Sequence, residues 1–354
     1  MRGLWLLICV LGLSACAREA IPPGVTVLTY ASPYSPQHPF SRADITWMKW
    51  IEKESGGTIR IQPYWSGALL SSEQSLTELR HGVADIGLIT PIYSRGGTHL
   101  IRVQSGFYLG TTTFDQQTAL YRCLQAAEPE FDRELHGLKV LAVQGGNLPG
   151  IVTRERPIRT LDDLRGLRIR APSELLGVLE DLGADPVDMP MGEVYSALAK
   201  GVLDGVIAPA DTLRSLHFAE VAHYFNTIRV PRGAYASRAM GEARWKRLTP
   251  SQQALFERGI AVWEHALATE IEAAERAGER TGHEQGVAFF AMPQDDQRRF
   301  DEIYERDAER RARALERYGV DAMASFRRAR AIANGLRDSG EIQCEKGNND
   351  PETA

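Results

Sequence analysis

The 354-residue chain is poor in the residue patterns that catalysis and metal binding demand. It holds four cysteines, and two of them, Cys9 and Cys16, fall within the first sixteen residues. There is no Cys-x-x-Cys pair, which excludes the common thiol-disulfide exchange motif. A Gly-x-Ser-x-Gly elbow, a Walker loop and a Gly-x-Gly-x-x-Gly turn are all missing. None of the eight histidines stands in His-Glu-x-x-His or any other metal-ligand spacing, so they read as ordinary hydrogen-bonding groups. These absences point away from an enzyme and imply neither a cofactor nor a metal. A strong excess of one charge is also lacking. The net charge is −5, its signs are mixed along the chain, and no basic stripe offers a surface to nucleic acid. Long apolar runs are missing too, because spanning a bilayer takes roughly 20 apolar residues.

What is present begins with a short export-type segment. Met1-Arg2-Gly3 is followed by an apolar stretch from Leu4 to Leu13 and then by Ser14-Ala15-Cys16. One positive charge, a brief apolar run and small residues before a cleavage point make a secretory signal. Leu13-Ser-Ala-Cys16 also has the pattern of a bacterial lipobox, in which the cysteine is lipidated and anchors the mature chain to a membrane. The other reading is ordinary cleavage after Ala15 or Ala17. Cys123 and Cys344 then stay in the body. Export permits a disulfide between them, and a buried Cys123 with a free tail thiol is the alternative.

Residues 1–16 are thus expected to be signal and anchor, and 17–24, with Pro22-Pro23-Gly24, a linker. Val25-Thr-Val-Leu-Thr-Tyr30 reads as a strand and the Pro-rich segment 32–39 as a loop. A helix from Ser41 places Ile45, Met48 and Ile51 on one side. Helix and strand then alternate, which implies α/β architecture with largely parallel sheets. The order repeats. Gly57-Thr-Ile-Arg-Ile-Gln-Pro63 finds a match in Gly166-Leu-Arg-Ile-Arg-Ala-Pro172. Gly82-Val-Ala-Asp85 finds one in Gly201-Val-Leu-Asp204. Two related lobes would form a cleft at the carboxyl ends of their strands. Thr249-Pro250-Ser251-Gln252 opens a helix running to about Gly282, roughly 30 residues or ~45 Å, long enough to cross both lobes. A strand near Gly286, a helix over 294–318 and a short helix near 322–336 follow, before a polar tail from Ser339.

Arg170 departs from local expectation. It ends a strand immediately before Ala171-Pro172, on the same face as Arg168. A surface arginine on an exposed edge is one reading. A guanidinium aimed into the cleft, offering its fork to a carboxylate, is the other.

Leu161-Asp-Asp-Leu-Arg-Gly-Leu-Arg-Ile-Arg-Ala-Pro172, followed by Gly183-Ala-Asp-Pro-Val-Asp-Met-Pro190, resembles the solute-binding subunit of TRAP transporters, the DctP-type family. The likeness continues through Glu193-Val-Tyr-Ser-Ala-Leu-Ala-Lys-Gly-Val-Leu-Asp-Gly205 and through Glu78-Leu-Arg-His-Gly-Val-Ala-Asp-Ile-Gly87, and it covers residues 25–338. The resemblance implies a two-lobed periplasmic-binding-protein-like fold with a central cleft, a hinge and a long bridging helix. It implies lobe I at 25–146 plus 234–273, lobe II at 147–233 plus 274–338, and a polar tail at 339–354. It implies an extracytoplasmic receptor that captures a small organic carboxylate and delivers it to integral-membrane permease subunits. Arg170 falls where the family binds the carboxylate. Thr90, Tyr93, Met191 and Ala208, with Tyr30 and Ala31 of the first loop, fall on its other cleft positions. Some sugar-acid-binding members carry a second cleft arginine, which aligns with Gly150 here, and Arg154 lies close by in sequence. Ile207 and Ala208 replace that group's Glu and Asn, so a less polar ligand is expected. Tyr30, Tyr34, Phe40 and Met191 suit an aromatic or hydrophobic body, core packing being the other use for such side chains. The rival function is a lipid-tethered sensory or scaffold protein using the same fold.

Overall fold

A computed structural model describes residues 24–94 and 96–344; Cys16, the signal reading and the linker reading up to residue 23 lie outside the described residues. The chain runs through β1 (Thr26–Ala31), β2 (Ile59–Tyr64), β3 (Ile86–Leu88) and β4 (Leu138–Gln144) before its first crossover. Then come β5 (Gly150–Thr153), β6 (Arg168–Arg170), β7 (Asp185–Val187), β8 (Gly205–Ala208) and β9 (Tyr224–Asn226). A second crossover leads to β10 (Tyr235–Gly241), and β11 (Ala288–Phe290) comes last. The first sheet is ordered β2-β1-β3-β10-β4 and the second β11-β9-β5-β8-β6-β7. In the first, β1 runs parallel to β2 and β3, while β10 is antiparallel to β3 and β4. In the second, β6 runs parallel to β7 and β8, while β5 is antiparallel to β8 and β9. Each lobe is therefore an α/β layer, and each crossover delivers an antiparallel strand into the sheet it enters.

The internal repeat is real, but one of its matched blocks is not. In both lobes the Gly-Val-x-Asp block turns a helix into a strand through a glycine with positive φ, +77° at Gly82 and +69° at Gly201, where a side chain would be strained. The aspartate then caps the neighbouring strand. Asp85 Oδ2 accepts the Thr29 N–H at 2.8 Å, and Asp204 Oδ2 accepts the Arg168 N–H at 2.7 Å. That equivalence aligns β6 with β1. Arg168 to Pro172 thus corresponds to Thr29 to Pro33, and not to Ile59 through Pro63 of β2 as the sequence match proposes. An Ile-Arg-Ile alternation is common to any half-buried strand. Only hydrogen-bonded neighbours distinguish the edge strand β2 from the central β6.

The first helix, Pro39–Glu54, is capped by His38 and begins slightly earlier than its Ser41 signal. Its Asp44 is wholly buried, because Arg238 of β10 grips both carboxylate oxygens at 2.7 and 3.2 Å and the Trp263 indole donates to Oδ1 at 2.7 Å. The long helix spans Pro250–Glu284, 35 residues or ~52 Å, with a reciprocal Thr249–Gln252 cap. Leu255, Phe256, Trp263, Leu267 and Ile271 bury in the first lobe's core. Further along, a Cβ on Gly278 would lie 2.1 Å from the Ala210 carbonyl of the second lobe, so glycine is what lets the helix lie against both.

The C-terminal segments depart from the expected boundaries. Helix Gln294–Ala314 places Phe300, Ile303 and Tyr304 on the second lobe's core, but Ala308 and Ala312 on the first lobe's. Helix Ala322–Ser339, expected with lobe II, packs Met323, Phe326, Ala329 and Ile332 into the first lobe's core. Just beyond it, Cys344 forms a disulfide with Cys123 of helix Phe114–Ala127, with Cα atoms 5.2 Å apart. The start of the polar tail is thereby fastened to lobe I. No helix among the described residues is long and apolar enough to cross a membrane.

Candidate ligand-binding cleft

A cavity of about 100 Å³ lies between the lobes, at the carboxyl ends of the strands. Arg170, the last residue of β6, lines it, although only 2% of its surface is exposed. Strand alternation sends Ile169 into the core and Arg168 and Arg170 to the opposite face. Arg168, at the far end of the strand, is exposed and sits 3.5 Å from Asp185. Arg170 reaches the cleft instead. Its Nε donates to the Met189 carbonyl at 2.9 Å and its Nη2 to the Tyr93 hydroxyl at 2.7 Å. No partner for Nη1 exists among the described residues. Tyr93 belongs to the first lobe, on the one-turn 3-10 helix Pro91–Tyr93 after β3, so this bond crosses the cleft.

The facing wall comes from the loop after β1 and the start of the first helix. Tyr34 stacks on His38 with ring centres 4.1 Å apart, and Phe40 meets both edgewise at 5.5 and 4.7 Å. His38 Nδ1 accepts the Phe40 N–H at 3.2 Å. Burial, then the guanidiniums of Arg42, Arg238 and Arg232, lower the His38 pKa to about 3. The ring is thus neutral at ordinary pH and presents an aromatic face, not a charge. Burial holds the Tyr34 phenol protonated and pushes Tyr235 up to about 12. Two carboxyls also line the cavity, and burial raises both, Asp211 to about 6. Glu174 is the other.

Of the residues singled out from sequence, Arg170, Tyr93 and Met191 meet at the cavity, joined by Tyr34 and Phe40. Thr90 lies beneath the Tyr93 turn, its N–H bonded to Ser75 Oγ at 3.1 Å and its hydroxyl to the Ser72 carbonyl. Ala208 is fully buried in the second core, while its neighbours Ile207 and Pro209 reach the cavity. Tyr30 and Ala31 are fully buried in the first lobe, Tyr30 against Trp65 at 5.7 Å. Ala31 is the counterpart of Arg170 in the repeated strand, and the lining begins only three residues later, at Tyr34.

The second guanidinium is not Arg154, whose side chain lies 3.7 Å from Glu155 and does not line the cavity. Nor has Gly150 room for a side chain, since a Cβ there would fall 2.4 Å from the Asn226 carbonyl. Arg232, in the second crossover, lines the cavity instead. Its sequence signal was available. Pro231-Arg232-Gly233 sets a cation in a segment with no helix face to solvate it.

Comparison with known proteins agrees with this architecture. A solute-binding protein of Albidiferax ferrireducens is 26% identical over 190 residues, 52% of this chain and 54% of the relative. The chain thus spans about half the length of that relative. A TRAP solute-binding protein from Rhodoferax ferrireducens, solved with copurified benzoate, superposes with a TM-score of 0.82 at 22% identity, covering 90% of this chain and all of that one. One from Sulfitobacter sp., solved with β-D-galacturonate, gives 0.70 at 19% identity, covering 85% and 99%. At such identities the structures speak for the two-lobed fold alone. The family model for bacterial extracellular solute-binding proteins, family 7, matches residues 29–313. With that match across most of its length, the chain belongs to the DctP family of bacterial extracellular solute-binding proteins.

Proposed function

We propose that this chain is the extracytoplasmic receptor of a TRAP-type transporter, and that it captures a small organic carboxylate with an aromatic or hydrophobic body. The observation that carries the reading is Arg170. It is a buried guanidinium, oriented from both lobes by Met189 and Tyr93, with Nη1 left for a ligand. A carboxylate there gains charge-assisted bonds in a region of low dielectric, where they are strongest. The Tyr34–His38–Phe40 wall supplies apolar ring faces for the rest of the ligand.

Capture proceeds by closure. A ligand that touches both lobes favours the closed arrangement by its differential affinity for it, and closing removes water from the ion pair. The loaded receptor then hands its acid to integral-membrane permease subunits. Lipidation of Cys16 would keep it at a membrane surface in the periplasm, within reach of those subunits. The test is calorimetry with a panel of aromatic and aliphatic acids. Binding of at least one acid, lost on Arg170→Gln at unchanged melting temperature, is the expected result. Equal affinity in that variant would remove the reading.

A further inference from the structure

We infer that Arg232 is a second anchor of the cleft, one that reads an oxygen acceptor on the ligand other than the carboxylate held by Arg170. The inference rests on the receptor reading above and narrows the ligand to acids bearing a second hydroxyl, carbonyl or carboxyl oxygen.

Arg232 lies in the crossover from β9 to β10 and lines the same cavity as Arg170. Its field reaches the aromatic wall and the far side of the cavity, acting on Tyr34, His38, Asp211 and Tyr235. Only one of its donors is engaged by protein. Nη1 donates to the Asn147 carbonyl at 3.3 Å, and Nε and Nη2 have no partner among the described residues. A guanidinium is a fork of five donors, and one facing a cavity with most of them open is placed to bind an acceptor.

The seat of this side chain is built, not incidental. A Cβ on Gly146 would fall 2.5 Å from Arg232 Cζ and 2.8 Å from Nε and Nη2, so the guanidinium lies directly on the bare Gly146 backbone. That peptide is held from the first lobe. The buried Gln117 accepts the Gly146 N–H at 2.7 Å and donates to its carbonyl at 3.0 Å. Next in the chain, Asn147 Nδ2 donates to the Ile271 carbonyl of the long helix at 2.8 Å. Both crossovers and the bridging helix therefore meet under Arg232.

The experiment measures affinity ratios. Wild type, Arg232→Gln, Gly146→Ala and Arg170→Gln are titrated calorimetrically with benzoate, 3- and 4-hydroxybenzoate, isophthalate and phenylglyoxylate, and each variant's melting temperature is recorded. Wild type is expected to prefer at least one acid with a second oxygen over benzoate by about tenfold or more. In Arg232→Gln that ratio should collapse toward one, and Gly146→Ala, which displaces the guanidinium without removing its charge, should do the same. A preference that survives both substitutions, an equal loss for benzoate and its oxygenated partners, or a wild type that favours benzoate overturns the role of Arg232 alone. Failure of wild type to bind any of these acids, or binding that persists in Arg170→Gln, overturns the aromatic-carboxylate reading and this inference with it.

Discussion

Arg170, on the last residue of a strand in the second lobe, donates to the hydroxyl of Tyr93 in the first lobe across 2.7 Å. The Tyr93 ring centre lies 5.8 Å from the same guanidinium, so one side chain both bonds to the cation and shields it. Tyr93→Phe keeps the ring and removes only the bond. The expected outcome is an intact fold with carboxylate affinity roughly ten- to a hundredfold weaker, since hydrogen bonds to charged groups contribute roughly 1.5–3 kcal/mol. Calorimetry on the variant decides it. Unchanged affinity would mean that Met189 alone orients Arg170.

His38 gives the fold a pH dependence of known sign. Its pKa is lowered to about 3 in the folded protein, by burial first and by three nearby guanidiniums second, whereas the unfolded chain titrates near 6.5. Below about pH 6.5 the unfolded state binds a proton that the folded state refuses until about pH 3. Stability present above pH 6.5 is therefore lost as pH falls toward 3, by at most about 1.4 kcal/mol per pH unit. Urea melts of wild type and His38→Gln at pH 7.5 and 4.5 should converge at the lower pH. Parallel losses in the two proteins would assign the acid sensitivity to other groups.

The buried pair Asp44–Arg238 should be costly to break on one side only. Both side chains are almost wholly buried, and Asp44 also accepts from Trp263 of the long helix. Asp44→Ala leaves a buried guanidinium without its counter-charge, and losses of about 3–5 kcal/mol are typical of such sites. Adding Arg238→Met in the same chain should recover part of that loss. Chemical denaturation of Asp44→Ala, Arg238→Met and the double variant tests this, and additive single effects would show that the two residues do not act as a pair.

The Cys123–Cys344 disulfide closes most of the body, its ends 221 residues apart. Cys344→Ser should lower stability by about 2–4 kcal/mol and loosen the last helix first. Thermal melts with and without reductant should differ for wild type and coincide for the variant. Coincident wild-type melts would place the bond outside the cooperative unit.

Much of the cleft was legible in the chain because the signals were local. Arg170 stood out by alternation and by the proline after it, and Tyr93 and Met191 followed from the family pattern. Tyr30, Ala31, Thr90 and Ala208 are buried and do not line the cavity. A residue-by-residue carry-over fixes a segment, but one step along a strand or turn reverses whether a side chain faces core or cleft. Pro231-Arg232-Gly233 marks a cation outside any helix, but which cavity it reaches depends on Gly146 and Gln117, far away in sequence and adjacent only in space.

By itself the sequence determined element types, the two α/β lobes and the long capped helix, since periodicity, glycine turns and caps act within a few residues. It also determined which strand ends in a cation. Only the tertiary structure decided that β6 corresponds to β1 and not β2, that Cys123 pairs with Cys344, and that the last helix packs on the first lobe. It alone brought Arg232 to the cavity that Arg170 enters from the other side. Those outcomes depend on which surfaces meet when distant segments close on each other, and neither spacing nor alternation along the chain encodes that choice.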